Sequence, residues 1–247
     1  MRWVVGDIHG CASEFDDLLR LLRFVPGRDE LWCTGDIVNT GPDSLAALRL
    51  WRDVGGRGVI GNHDAYAILA RTGRVKRRVD RLDALFGSPD AEALLARLRA
   101  CPAMTRFARE APEAPGVWLV HAGLNPTWTD LAALAARLDA QPHDDDWLAS
   151  DSVSYLTRVR CCDRFGERIR FTGPPDDAPA PFRAWDDFYN GEEFIAHGHW
   201  AMRGFYRGER TMGLDSACVY GGRLTAWSPD EDRTESVPCR VARGYLV

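Results

Sequence analysis

Within its first 64 residues the chain alternates short apolar strands with amphipathic helices. Trp3-Val4-Val5 reads as a buried strand. A helix follows from about Ser13 to Arg23, with Phe15, Leu18, Leu19 and Leu22 at helical spacing. Leu31-Trp32-Cys33 gives a second strand, Ser44 to Trp51 a second helix, and Val59-Ile60 a third strand. This β-α-β-α-β order predicts a parallel sheet whose ligands gather at the carboxyl ends of its strands. Each of these strands runs into a short polar motif: Gly6-Asp7-Ile8-His9-Gly10, Gly35-Asp36 and Gly61-Asn62-His63-Asp64. Val120-His121-Ala122-Gly123 and Gly198-His199-Trp200 continue the series further along. A rigid sheet with exposed loop ends suits binding groups, because the sheet fixes them and the loop presents them.

Beyond this unit the pattern turns helical from Ala65 to about Ala100, and it includes the basic run Arg74 to Arg81. Strand character returns at Val117-Trp118-Leu119-Val120. Asn125 to about Asp187 is polar, mixed and Pro-rich. The last quarter holds strands near Phe194-Ile195-Ala196, Met212-Gly213-Leu214 and Leu224-Thr225-Ala226, with Gly221-Gly222 as a hairpin turn between the last two. The expectation is one domain over residues 1–247. It carries a helical cap insertion at about 65–104 and a second, irregular insertion at about 125–187, both roofing the site.

A net charge of -5 argues against a general nucleic-acid binder, whose affinity rests mainly on Lys and Arg. Seven cysteines form no CxxC pair and no even framework, so they read as reduced thiols in a cytoplasmic protein. The first strand reaches a ligand by Asp7, which leaves no room for a targeting segment, and no apolar run approaches the roughly 20 residues a membrane span needs.

The polar motifs together supply Asp7, His9, Asp36, Asn62, His121 and His199. Carboxylate, amide oxygen and imidazole in that mixture fit a pair of divalent transition metals better than one structural zinc. One ion would take Asp7 and His9 and the other Asn62, His121 and His199, with Asp36 bridging both. His197 competes with His199 for its place. Two such ions suit in-line attack on phosphorus by a water or hydroxide held between them. His63, not needed as a ligand, could protonate the leaving oxygen, with Asp64 orienting it or serving as an N-terminal helix acid. Phosphate clamps would come from Arg158 and Arg160 on one edge. On the other edge stands the basic run, with Arg77 and Arg81 foremost, unless that run is a solvated helix face. Cys161-Cys162 lacks a paired base and reads as buried.

These motifs resemble those of the calcineurin-like metallophosphoesterases of the phosphoprotein-phosphatase branch. The closest likeness is to the bacterial symmetrical diadenosine tetraphosphatases. It extends to Gly41-Pro42-Asp43-Ser44-Leu45, Leu156-Thr157-Arg158-Val159-Arg160, Gly198-His199-Trp200-Ala201 and Leu214-Asp215-Ser216 with Gly221-Gly222. The resemblance implies an α/β fold: a β-sandwich flanked by helices, with a helical cap. It implies two divalent ions, manganese or cobalt favoured over iron, zinc or nickel. The implied substrate is a dinucleoside polyphosphate cleaved to two nucleoside diphosphates, with capped RNA ends the one nucleic-acid substrate left open. The chain departs from the pattern at Asn39 and Thr40. Protein phosphatases of this branch carry Asp and Arg there, and the tetraphosphatases keep the Arg. The rival readings are a protein phosphatase or small phosphomonoesterase on the same fold, and a nucleotide sensor that has lost turnover.

Overall fold

The computed structural model describes residues 1–78, 80–108 and 116–241. The chain opens with β1 (Arg2–Val5), α1 (Ala12–Leu21), β2 (Glu30–Cys33), α2 (Ser44–Asp53) and β3 (Arg57–Gly58). β1, β2 and β3 lie parallel, with Val5 opposite Cys33. α1 buries Phe15, Leu18 and Leu19, the face that its spacing predicts. Asp43 fixes the start of α2 by accepting the Ala46 N–H at 2.8 Å. The third strand falls two residues before Val59-Ile60, because pairing with β2 ends at Gly58 and the Ile60 N–H turns away to the Pro102 carbonyl.

α3 (Asn62–Arg71), α4 (Asp83–Phe86) and α5 (Ala91–Arg99) make up the helical stretch. Between α3 and α4 the described residues form neither helix nor strand. The basic run therefore lies on an irregular strap, which corrects the helix-face reading. β4 (Met104–Phe107) and β5 (Val117–Val120) follow. The second insertion is more regular than expected. It contains α6 (Leu131–Asp139), α7 (Asp145–Ala149), α8 (Asp151–Arg158) and a small sheet of β6 (Cys161–Cys162), β7 (Arg168–Ile169) and β8 (Arg183–Ala184). Cys161 and Cys162 are buried in it. The chain ends through β9 (Phe194–His197), β10 (Tyr206–Arg207), β11 (Thr211–Gly213), β12 (Arg223–Ser228) and β13 (Arg233–Pro238).

Two mixed five-stranded sheets result, ordered β13-β12-β1-β2-β3 and β10-β11-β9-β5-β4. Period-two alternation explains their layering. Val4, Val117, Leu119, Phe194, Ala196 and Trp227 form one core cluster, while their neighbours Trp3, Val5, Trp118, Val120 and Ile195 join another that includes the helices. Central strands with both faces buried carry near-continuous apolar runs. The fold is a sandwich flanked by helices.

Gly221-Gly222 is not a hairpin turn, because β11 and β12 belong to different sheets. Gly221, at φ 96°, closes a 3-10 turn, Cys218–Tyr220, that carries the chain between them. The terminal hairpin is β12–β13. Among the described residues no helix is long and apolar enough to cross a membrane.

Candidate active site

The polar motifs converge where the carboxyl ends of β1, β2, β5 and β9 meet the start of α3. Backbone strain marks the place. His9, Asp36, Asn39, Thr40 and His199 all adopt left-handed φ, between 48° and 71°, which non-glycine residues rarely do and which clusters at functional sites. The motif glycines permit close approach: a Cβ on Gly61 would run into the Asp36 carboxylate, and one on Gly198 into that of Asp7.

Each predicted metal ligand is buried or nearly so, and Asp7, Asp36, His121 and His199 are each held by a partner behind them. Asp7 accepts from Thr34 Oγ1 at 2.8 Å and from the His199 N–H at 2.9 Å. His121 Nδ1 donates to the Thr34 carbonyl at 2.8 Å, which leaves Nε2 facing Asp36 and Asn62 as the atom that could coordinate. His199 Nε2 donates to the Arg158 carbonyl at 3.3 Å, leaving Nδ1. Asp36 Oδ1 accepts the His63 N–H at 2.7 Å, while its Oδ2 lies 3.6 Å from His9 Nε2 and 3.3 Å from His121 Nε2. One carboxylate oxygen thus faces both ligand sets. Asp36 also belongs to both compact donor groups here, one with His9 and His63 and one with His121 and His199. His197 lies outside them. Its Nε2 is 2.7 Å from the Tyr206 hydroxyl and its ring packs edge-on against Trp185.

Does this donor set fit divalent ions? Asn62 Oδ1 sits 3.0 Å from His121 Nε2, with only ring nitrogens and other acceptors around it. Turned this way, the amide oxygen points at the same spot as the His121 and His199 ring nitrogens, which is how a shared cation would be held. With the amide swapped, its nitrogen would instead donate to His121 Nε2 at 3.0 Å and His199 Nδ1 at 2.8 Å, the arrangement suited to a metal-free centre. The carboxylates give a second indication. Burial, then Asp215, pushes Asp7 well above the ordinary carboxylate range. Burial and Asp36 push Asp64 up to about 7, and burial raises Asp215 to about 6. Burial opposes charge on His121, yet Asp36 and Asp7 lift it to about 9. Crowded buried acids of this kind are relieved by dications. The residues fit.

His63 stands beside this centre at the mouth of a cavity. Its Nδ1 lies 3.1 Å from Asn39 Nδ2 and 3.3 Å from Thr40 Oγ1. The orienting role expected of Asp64 falls to these two residues. Asp64 is fully buried, and its carboxylate accepts the N–H groups of Ile37 at 2.9 Å, Val38 at 3.2 Å and Gly61 at 3.2 Å. It ties the Asp36 loop to the start of α3, which is a structural duty. Sequence reasoning missed Thr34 and Asp215 as neighbours of Asp7. The position of Thr34, directly before Gly35-Asp36, was the only local signal.

The cavity, of about 1130 Å³, is lined by Asn39, Thr40, His63, Tyr66 and Arg158, and by the strap residues Lys76, Arg77, Arg78 and Arg81. Arg77 is engaged by its own strap: Nε donates to Asp80 at 3.0 Å and Nη2 reaches Asp83 at 2.9 Å. Arg74 pairs with Asp146 at 2.7 Å and does not line the cavity. Arg160 donates to the carbonyls of His199 at 3.1 Å and Phe171 at 3.4 Å, so it braces the His199 loop. Arg158, whose burial lowers its pKa, lines the cavity beside the centre, as do Arg77 and Arg81 of the strap.

A β-sandwich that gathers two overlapping groups of Asp, Asn and His donors at its strand ends defines a dinuclear-metal hydrolase acting on phosphorus. The Calcineurin-like phosphoesterase family model matches residues 2–212, and the chain belongs to that family. It is 36% identical to the symmetrical bis(5'-nucleosyl)-tetraphosphatase of Edwardsiella ictaluri, covering 97% of this chain and 96% of that one. It is 34% identical to the enzyme of the same name from Chromobacterium violaceum, covering 98% and 96%. A solved structure described as a candidate diadenosine tetraphosphatase superposes with a TM-score of 0.70 at 31% identity, covering 96% of this chain and 92% of the other. A Saccharomyces cerevisiae protein serine/threonine phosphatase, at 15% identity and a TM-score of 0.62, shares the fold.

Proposed function

We propose that this protein hydrolyses dinucleoside polyphosphates symmetrically, diadenosine tetraphosphate to two ADP, using two divalent ions of which manganese is the favoured pair. Asp7 and His9 would hold one ion, Asn62, His121 and His199 the other, and Asp36 both. When bound, the ions polarise the attacked phosphoryl group and lower the pKa of the attacking water.

The observation that carries the substrate choice is the Asn39–His63 contact. Asn39 Oδ1 is taken by the Thr40 N–H at 2.8 Å, so the amide nitrogen faces the ring and donates to His63 Nδ1. An Nδ1 that accepts leaves the imidazole proton on Nε2. Burial lowers the His63 pKa, which also favours the neutral ring. A neutral Nε2–H is a hydrogen-bond donor and a weak acid. That suffices for a nucleoside diphosphate, whose departing phosphate has a pKa of about 6, but serves poorly for a serine alkoxide. The cavity between His63, Tyr66, Arg158 and the strap then receives one nucleotide half, with cations on two sides for its phosphates.

Purified protein with manganese and diadenosine tetraphosphate should yield ADP as the sole nucleotide product. AMP with ATP would overturn the symmetrical assignment. Faster turnover of a phosphoserine peptide than of the dinucleotide would favour the protein-phosphatase reading.

A further inference from the structure

A second knot of metal-type donors is buried where α1, the turn after Asp215 and the end of β13 meet. Glu14 sits in the first turn of α1, Cys218 opens the 3-10 turn Cys218–Tyr220, and Cys239 directly follows β13. All three are buried, and their donor atoms lie within 4.8 Å of one another. The Cys11 thiol, itself buried, faces the His9 carbonyl at 4.0 Å and is a neighbour of Cys218 outside this group of three. Glu14 is also positioned from outside, its Oε1 accepting the Arg240 N–H at 2.9 Å.

We propose that Glu14, Cys218 and Cys239 form a site for a thiophilic divalent cation of the zinc class, separate from the catalytic pair. The donor set argues for the metal. Two sulfurs and one carboxylate make a donor set that selects a thiophilic ion such as zinc, whereas the catalytic ligands are all nitrogen and oxygen. Burial argues for the role. Glu14 and Cys218 are almost wholly buried and Cys239 is 9% exposed, so the site sits inside the fold as structural sites do. Placement argues for the consequence. Glu14 lies in the helix that follows the His9 loop and Cys218 three residues after Asp215, so an ion here would tie those two segments to the end of the last strand. A clip that joins residue 14 to residue 239 closes a very long loop of chain. Each thiol that binds releases its proton to solvent as the sulfur–metal bond forms, so occupancy rises with pH.

Cobalt reports the site directly. Only cysteine ligands give a near-ultraviolet thiolate-to-cobalt charge-transfer band, and the catalytic donors include none. Reduced full-length protein loaded with cobalt should show this band at a third metal equivalent, and zinc should erase it. Cys218→Ser and Cys239→Ser should each abolish it while Cys161→Ser, in a separate sheet, leaves it unchanged. The wild-type spectrum alone decides the case if a variant fails to fold. No band at metal saturation, or a band that survives both substitutions, overturns the proposal. So does a denatured thiol count two short of the seven cysteines, which would mean a disulfide at the knot. None of these outcomes depends on which nucleotide the catalytic centre cleaves.

Discussion

Asp36 is the residue on which the catalytic reading turns. Its Oδ2 lies between His9 and His121, so Asp36→Asn replaces a shared anion with a neutral amide. We expect that variant to lose turnover together with at least one metal equivalent, read by elemental analysis. Full occupancy with normal turnover would remove the bridging assignment. Asn39 makes the complementary case. Asn39→Asp places a carboxylate against His63 Nδ1, raises the His63 pKa and favours imidazolium. The ratio of kcat/KM for seryl phosphate to that for diadenosine tetraphosphate should rise tenfold or more, with the acid-dependent limb of the rate profile moving to higher pH. His63→Ala should cost roughly 10²–10⁴ in turnover on poor leaving groups and less on the anhydride, with metal content intact. An equal loss on both would make His63 a positioning group. The ligands were legible in the sequence because their motifs all stand where a short apolar run gives way to a loop or helix start. The His63 partners were not: Asn39 and Thr40 look like ordinary turn residues until left-handed backbone at φ 71° and 69° turns them toward the ring.

At the scale of elements, β1, β2, β5 and β9 could be read directly, since apolar runs of three or four residues leading into glycine-bearing polar motifs have few other uses. The short strands β6, β7, β8 and β10 could not, because two-residue pairings exist only where a partner is brought alongside. One polar network holds such pieces together. Asp186, next to β8, accepts from Arg203 at 2.6 and 3.0 Å and from the Tyr206 hydroxyl at 2.7 Å, which joins the second insertion to β10. Burial opposes the charge on Asp186, but Arg203 holds its carboxyl below the ordinary 3.8. A folded pKa below the unfolded one means that the stabilisation is fully present above the unfolded value and is lost as pH falls through the folded one. Asp186→Asn leaves Arg203 half-buried without its anion and should destabilise by about 3–5 kcal/mol at neutral pH. The difference in Tm from wild type should shrink toward pH 3. A constant difference across that range would assign the effect to packing instead of charge.

For the whole molecule, the catalytic centre is also a join between the two sheets, since Asp7 and Asp36 follow strands of one and His121 and His199 strands of the other. Ions bound there stabilise the folded state by mass action. Chelation should therefore lower the Tm, and manganese should restore it in a concentration-dependent way. A Tm indifferent to metal would mean that the centre contributes nothing to holding the sheets together. The sequence by itself determined the α/β class, the order of the central strands, the six metal-binding candidates and the family, because all of these rest on local periodicity and short motifs. Tertiary structure decided the rest. It brought β12 beside β1 across more than 200 residues of chain and placed Glu14 against Cys218 and Cys239. It also turned Arg77 and Arg160 to internal partners while leaving Arg158 at the cavity. Which charges meet in space depends on how distant segments pack, and no local pattern encodes that.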